Sequence, residues 1–179
     1  MTKSVLITGG CYGTGYAIAA RFAQEGYHIF VSGRDKEKAD AAAAALAKKY
    51  GVYAKGYQTA SFEQNEAEEI FADIKNHGYS IDCLVLNAAN LGIGQDSLTV
   101  DIGDFMGVYK INVAWNFMMA REAAKQMKNA GGGSIVFITW YNVIDSSNGR
   151  YMIPFSFLST FSSAVDCGLV YWYYINNIY

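Results

Sequence analysis

At 179 residues and 52% hydrophobic content, the chain is long enough to bury a core and falls within the range of one domain. A formal net charge of -2, with no run of like charges, excludes a basic face for nucleic acid and a polybasic membrane anchor. Cys11, Cys83 and Cys167 fit no C-x-x-C spacing, and Met-Thr-Lys-Ser leads directly into an apolar run without a signal-peptide pattern. Reduced thiols in a cytoplasmic protein are therefore expected. With only His28 and His77, neither beside a cysteine pair, no metal site is expected.

The run Ser4-Val5-Leu6-Ile7 opens a strand over residues 5–8, continuous in the way that suits a parallel strand covered on both faces. The turn Thr8-Gly9-Gly10-Cys11-Tyr12-Gly13-Thr14-Gly15 follows, and then a helix over residues 13–24. A strand that turns through glycines into a helix makes a phosphate seat, because the helix N-terminus offers unpaired N–H groups and the positive end of its dipole. The plain alternative is a strand-to-helix turn without a ligand.

Gly26 is placed for a left-handed cap, residues 28–32 form the second strand, and Asp35 caps a helix over 36–50 that Gly51 stops. A third strand spans 52–57. Ser61 is expected to cap a helix over 62–76, with Ile70, Phe71 and Ile74 inward and Glu63, Glu66, Glu68, Glu69 and Asp73 as a solvated face. The fourth strand, 81–86, ends at Asn87-Ala88-Ala89-Asn90, and a loop over 91–101 follows. One long helix is expected over 102–129, its wide apolar stripe running through Phe105, Val108, Tyr109, Asn112, Trp115, Phe117 and Met119. Three glycines end it before a fifth strand at 134–139. Alternation at this spacing implies an α/β, doubly wound parallel sheet in three layers, α/β/α, with a ligand beyond the carboxyl ends of the strands.

Together these signals resemble the short-chain dehydrogenase/reductase family over residues 1–139. Thr8-Gly9-x-x-x-Gly13-x-Gly15 is similar to its T-G-x-x-x-G-x-G cofactor turn. Asp82-x-Leu84-Val85-Leu86-Asn87-Ala88-Ala89 is similar to its D-x-L-V-N-N-A-G segment, with Leu86 for the first Asn and Ala89 for the Gly. Asn112 falls where the family keeps an asparagine that helps hold a proton-relay water. The resemblance implies a Rossmann-type fold and hydride transfer between a nicotinamide cofactor and a small-molecule alcohol or carbonyl. It assigns Gly9, Tyr12, Gly13, Thr14, Gly15, Asn87 and Ala88 to the cofactor and Asn112 to catalysis. At the end of the second strand stands Gly33-Arg34, with no acid at the position that favours NAD. Arg34 therefore points to NADP(H), while Asp35 caps the next helix.

Beyond residue 139 the resemblance breaks. The family follows its fifth strand with a catalytic serine and then Y-x-x-x-K, whose lysine lowers the pKa of the tyrosine. Here Trp140 stands where the serine is expected. Tyr141 and Tyr151 are followed four residues on by Asp145 and Phe155, Phe155-x-x-x-Ser159 sits in the place of the motif, and no lysine occurs after Lys128. Of the 30 charged residues only Asp145, Arg150 and Asp166 lie past 139, so residues 140–179 form an atypical segment beside a dinucleotide-binding domain of 1–139. A membrane span over 155–175 is weakened by Asp166 and Gly168, and a helix patching the sheet edge is the bland reading. The favoured reading is a frameshift or splice-like departure, leaving a C-terminally truncated or altered reductase of impaired activity with an unpaired sheet edge. A catalytically inactive nucleotide-binding module, or a remnant, is the alternative. The long helix is compatible with a homo-oligomer and equally with plain burial.

Overall fold

A computed structural model describes residues 2–90, 99–140 and 170–175 of the chain. Six strands and the helices between them follow in order among the described residues. β1 (Ser4–Thr8) leads to α1 (Gly13–Gln24), β2 (His28–Gly33) to α2 (Lys36–Tyr50), β3 (Ala54–Gln58) to α3 (Gln64–Asn76), and β4 (Cys83–Leu86) to α4 (Ile102–Tyr109). A π-helical segment (Lys110–Trp115) joins α4 to α5 (Asn116–Ala130), which precedes β5 (Ser134–Trp140) and then β6 (Val170–Ile175). All pairings are parallel, in the order β3-β2-β1-β4-β5-β6. This is the Rossmann-type α/β sheet expected from the sequence.

Alternation along the strands builds two cores. Leu6, Phe30, Leu84 and Leu86 face α3, the π-segment and α5, packing on Ile70, Phe71, Ile74, Trp115 and Met119. Val5, Ile7, Ile29, Val31 and Val85 face the other way, onto Ala19, Ala23, Ala42 and Leu46 of α1 and α2. All five residues of β1 are buried, as a strand covered on both faces requires. The side chain of Asp82 fixes the register at the lower end, accepting from the Ser4 amide at 2.7 Å.

Four sequence expectations need correction. The long helix over 102–129 is broken by the π-segment, whose wider turn rotates everything after it by roughly 100° per inserted residue. The apolar stripe therefore divides: Trp115 and Met119 are buried, while Phe117 turns outward beneath the Arg121 guanidinium. Ser61 does not cap α3, which starts after Glu63; its hydroxyl instead accepts from the Glu63 amide at 3.3 Å. The acidic residues of α3 are not merely solvated. Glu63 pairs with Lys110, Glu66 collects backbone amides, and Asp73 binds Lys55 and Tyr57. Lastly, the outer edge of β5 is covered neither by a helix nor left bare, because β6 pairs with it from Ile135↔Val170 to Trp140↔Ile175.

The stretch 155–175, disfavoured above as a membrane span, lies mostly outside the described residues, and its last six form β6. Among the described residues no helix is long and apolar enough to cross a membrane. Tyr141, Asp145, Arg150, Tyr151, Phe155, Ser159, Asp166 and Cys167, and residues 91–98 of the loop after β4, also lie outside the described residues.

Candidate functional site

The carboxyl ends of β1, β2, β3 and β4 open into a cleft of about 980 Å³. Eight residues expected at a cofactor line it: Gly9, Tyr12, Gly13, Thr14, Gly15, Arg34, Asn87 and Ala88.

The glycine turn is shaped by close approach. A Cβ on Gly15 would lie 2.2 Å from the Gly9 carbonyl oxygen, so only glycine lets α1 start this close to β1. Gly13, at φ +55°, has nothing within 4 Å of such a Cβ and faces open space. The N-terminus of α1 carries no side-chain cap and no acidic residue in its first turn. The other helices that start after a loop differ: Asp35 caps α2, Asp101 caps α4, and α3, though without a side-chain cap, has Glu66 in its first turn. Thus α1 presents its amides and positive dipole end to the cleft uncompensated, which suits an anion.

Thr8 and Asn87 lock the turn to the end of β4. The Thr8 hydroxyl oxygen accepts from the amides of Asn87 and Ala88, both at 3.0 Å. The Asn87 side-chain amide donates back to the carbonyls of Thr8 (3.1 Å) and Gly9 (3.2 Å). These bonds explain why the threonine and asparagine of the two sequence segments belong together.

At the end of β2 the exposed Arg34 lines the cleft, and among the described residues no carboxylate pairs with its guanidinium. Asp35 accepts from the Lys38 amide at 3.2 Å and lies 3.3 Å from the Lys38 ammonium. The Lys38 backbone amide, before its ammonium, holds the Asp35 carboxyl below the usual carboxylate range. Asp35 is therefore committed to α2, as its capping role implied.

Asn112 does not line the cleft. It lies on the π-segment, where Oδ1 accepts from the Asn90 amide and Nδ2 donates to the Asn90 carbonyl. The sequence reading missed Cys11, Lys38, Thr59, Phe62, Asn90 and Ile111, which also line the cleft. Strand order brings β3 and the π-segment to this edge, a placement that no local motif announces.

A tyrosine and a lysine also meet elsewhere. The Lys55 ammonium lies 5.5 Å from the Tyr57 ring centroid. The Tyr57 phenol donates to Asp73 at 2.8 Å, and burial followed by that carboxylate pushes its pKa far above the ordinary value. Such a phenol is held protonated, the reverse of what a proton-transferring tyrosine needs.

The family model for short chain dehydrogenases matches residues 3–153, past the point where the sequence resemblance ended. The chain belongs to the short chain dehydrogenase family. It is 33% identical over 139 residues to 3-oxoacyl-acyl-carrier-protein reductase FabG of Aquifex aeolicus, covering 76% of this chain and 55% of that protein. It is likewise 33% identical over 150 residues to dehydrogenase/reductase SDR family member 4 of Homo sapiens, covering 82% and 52%. Among solved structures, L-sorbose reductase from Gluconobacter frateurii, complexed with NADPH and L-sorbose, is similar with a TM-score of 0.74 and 25% identity, covering 86% of this chain and 57% of that one. The chain spans about half the length of the curated relatives it matches.

Proposed function

We propose that the chain is the nucleotide-holding part of a short-chain dehydrogenase/reductase, taking NADP(H) into the cleft for hydride exchange with an alcohol or ketone. The observation that carries this reading is the N-terminus of α1, uncapped, free of acid and open at Gly13. Gly9, Tyr12, Gly13, Thr14 and Gly15 form the pyrophosphate seat, with Asn87 and Ala88 as its far wall. Arg34 receives the 2′-phosphate, supported by its position at the end of β2 and by the engagement of Asp35 elsewhere. A relative crystallised with NADPH is consistent with this choice.

When bound, the nicotinamide supplies the hydride chemistry. This chain's residues bind and orient it. Asn112 acts through Asn90, setting the backbone at the end of β4. Trp140 stands where the family's serine is expected, no lysine follows Lys128, and Tyr57 is held protonated, so proton transfer by this chain alone is impaired. The pairing of β6 with β5 supports residues 140–179 as an extension of the same domain. The missing serine and Y-x-x-x-K are also what supports the alternative, a nucleotide-binding module without turnover. Exposed Ile102, Met106 and Phe117 support a homo-oligomer packed through α4 and α5.

Fluorescence titration tests the cofactor assignment. NADPH is expected to bind more tightly than NADH, and Arg34→Ala to weaken NADPH about tenfold while leaving NADH unchanged. Equal loss for both nucleotides contradicts the assignment of Arg34. A ketone reduced rapidly with NADPH contradicts the impairment.

A further inference from the structure

Among the described residues one non-glycine residue adopts a left-handed backbone, and it is a bulky one: Phe62, at φ 54°. A phenylalanine persists there only when its surroundings over-determine it. Two sets of contacts do so. Three successive amides, of Ala60, Ser61 and Phe62, donate to the Glu66 carboxylate at 2.7, 3.3 and 2.8 Å. The Phe62 ring also meets Trp115 edge to face, with centroids 5.5 Å apart and planes at 87°. Trp115 is fully buried in the π-segment and gives that ring a fixed support. Phe62 lines the cleft together with Thr59, which follows β3, and Ile111 of the π-segment.

We propose that Phe62 is a positioning residue for the nucleobase, held in its strained conformation by Glu66 so that it walls the adenine end of the cleft. The assignment rests on reading the cleft as a dinucleotide site. With the pyrophosphate on the N-terminus of α1 and the adenosine ribose at the end of β2, the base extends toward β3. There the small part of Phe62 that its packing on Trp115 leaves accessible, 9% of the residue, and the half-buried Ile111 offer apolar surface to a flat ring, which packs well on aromatic and aliphatic groups. Glu66 is what the sequence reading took for part of a solvated face. Its carboxylate gathers the loop amides and fixes where the ring points.

Calorimetry on the full chain tests this with ADP-ribose, the adenosine half, and reduced nicotinamide mononucleotide, the other half. Circular dichroism establishes that each variant is folded. Phe62→Leu is expected to weaken ADP-ribose about tenfold while binding the mononucleotide to the same extent as the wild type. Phe62→Tyr restores ADP-ribose, and Glu66→Ala weakens it although the ring is intact. An unchanged ADP-ribose affinity in Phe62→Leu, or an equal loss for both halves, overturns the assignment. A wild-type chain that does not bind ADP-ribose overturns the dinucleotide reading beneath it, so the two failures are distinguishable.

Discussion

Asn112 grips the backbone of Asn90 on both sides, accepting from its amide at 2.7 Å and donating to its carbonyl at 2.8 Å. One side chain thereby ties the π-segment to the residue that leaves β4 for the cleft. Asn112→Ala leaves two part-buried backbone groups without these partners, at a cost of about 1–3 kcal/mol. For a chain of this size each kcal/mol lowers the melting temperature by about 2–4 °C, so a fall of several degrees is expected in thermal unfolding. Asn112→Asp keeps the acceptor and loses the donor, and is expected to fall between the two. An unchanged melting temperature in Asn112→Ala sinks the role given to this contact.

Asp73 sets an acid limit. The Lys55 ammonium at 2.6 Å, then the Tyr57 hydroxyl, hold its carboxyl below the ordinary range. A carboxyl depressed in the folded state contributes stability that is fully present above its unfolded pKa, near 4, and is lost as pH falls through the folded value. Its side chain is 39% exposed, so solvent screening keeps the contribution to about 1 kcal/mol or less. Urea midpoints measured between pH 7 and pH 3 are expected to fall less in Asp73→Asn than in the wild type. Parallel declines contradict the assignment.

The cysteines differ in access. Burial pushes the Cys83 thiol up to about 11, whereas Cys11 is half-buried on the cleft wall and its thiol is raised by burial and by Asp35. Iodoacetamide at pH 8 is expected to label Cys11 slowly and Cys83 only in denaturant. Bound NADPH is expected to slow labelling of Cys11, as read by peptide mass spectrometry. Labelling of Cys83 in the folded chain contradicts its place in the core.

The turn and its partner strand were legible because the chemistry is local. Close approach at Gly15 demands glycine at a fixed spacing within one turn, and Thr8 and Asn87 each stand in a short recognisable segment, although their exchange joins two strands far apart in the chain. Asp35 was legible for the same reason, as a cap acting three residues away. The π-segment was not, because an apolar stripe over 102–129 looks alike whether or not the helix widens at Lys110. Glu66 was misread because helical spacing reports which face a residue occupies and not whether loop amides fold over it. Phe62 reaches the cleft through strand order, and β6 joins β5 across a long stretch of chain. Neither relation leaves a local periodicity.

The most direct test of the dinucleotide seat is an NADPH titration of the wild type beside Gly13→Asp. A side chain at Gly13 meets nothing within 4 Å, aspartate tolerates a positive φ better than most residues, and a carboxylate at this helix end favours the fold. The variant is therefore expected to melt at or near the wild-type temperature, while its negative charge repels the pyrophosphate. The account predicts saturable one-to-one binding by the wild type and a loss of at least tenfold in Gly13→Asp. No binding by the wild type, or equal binding by the two, contradicts it.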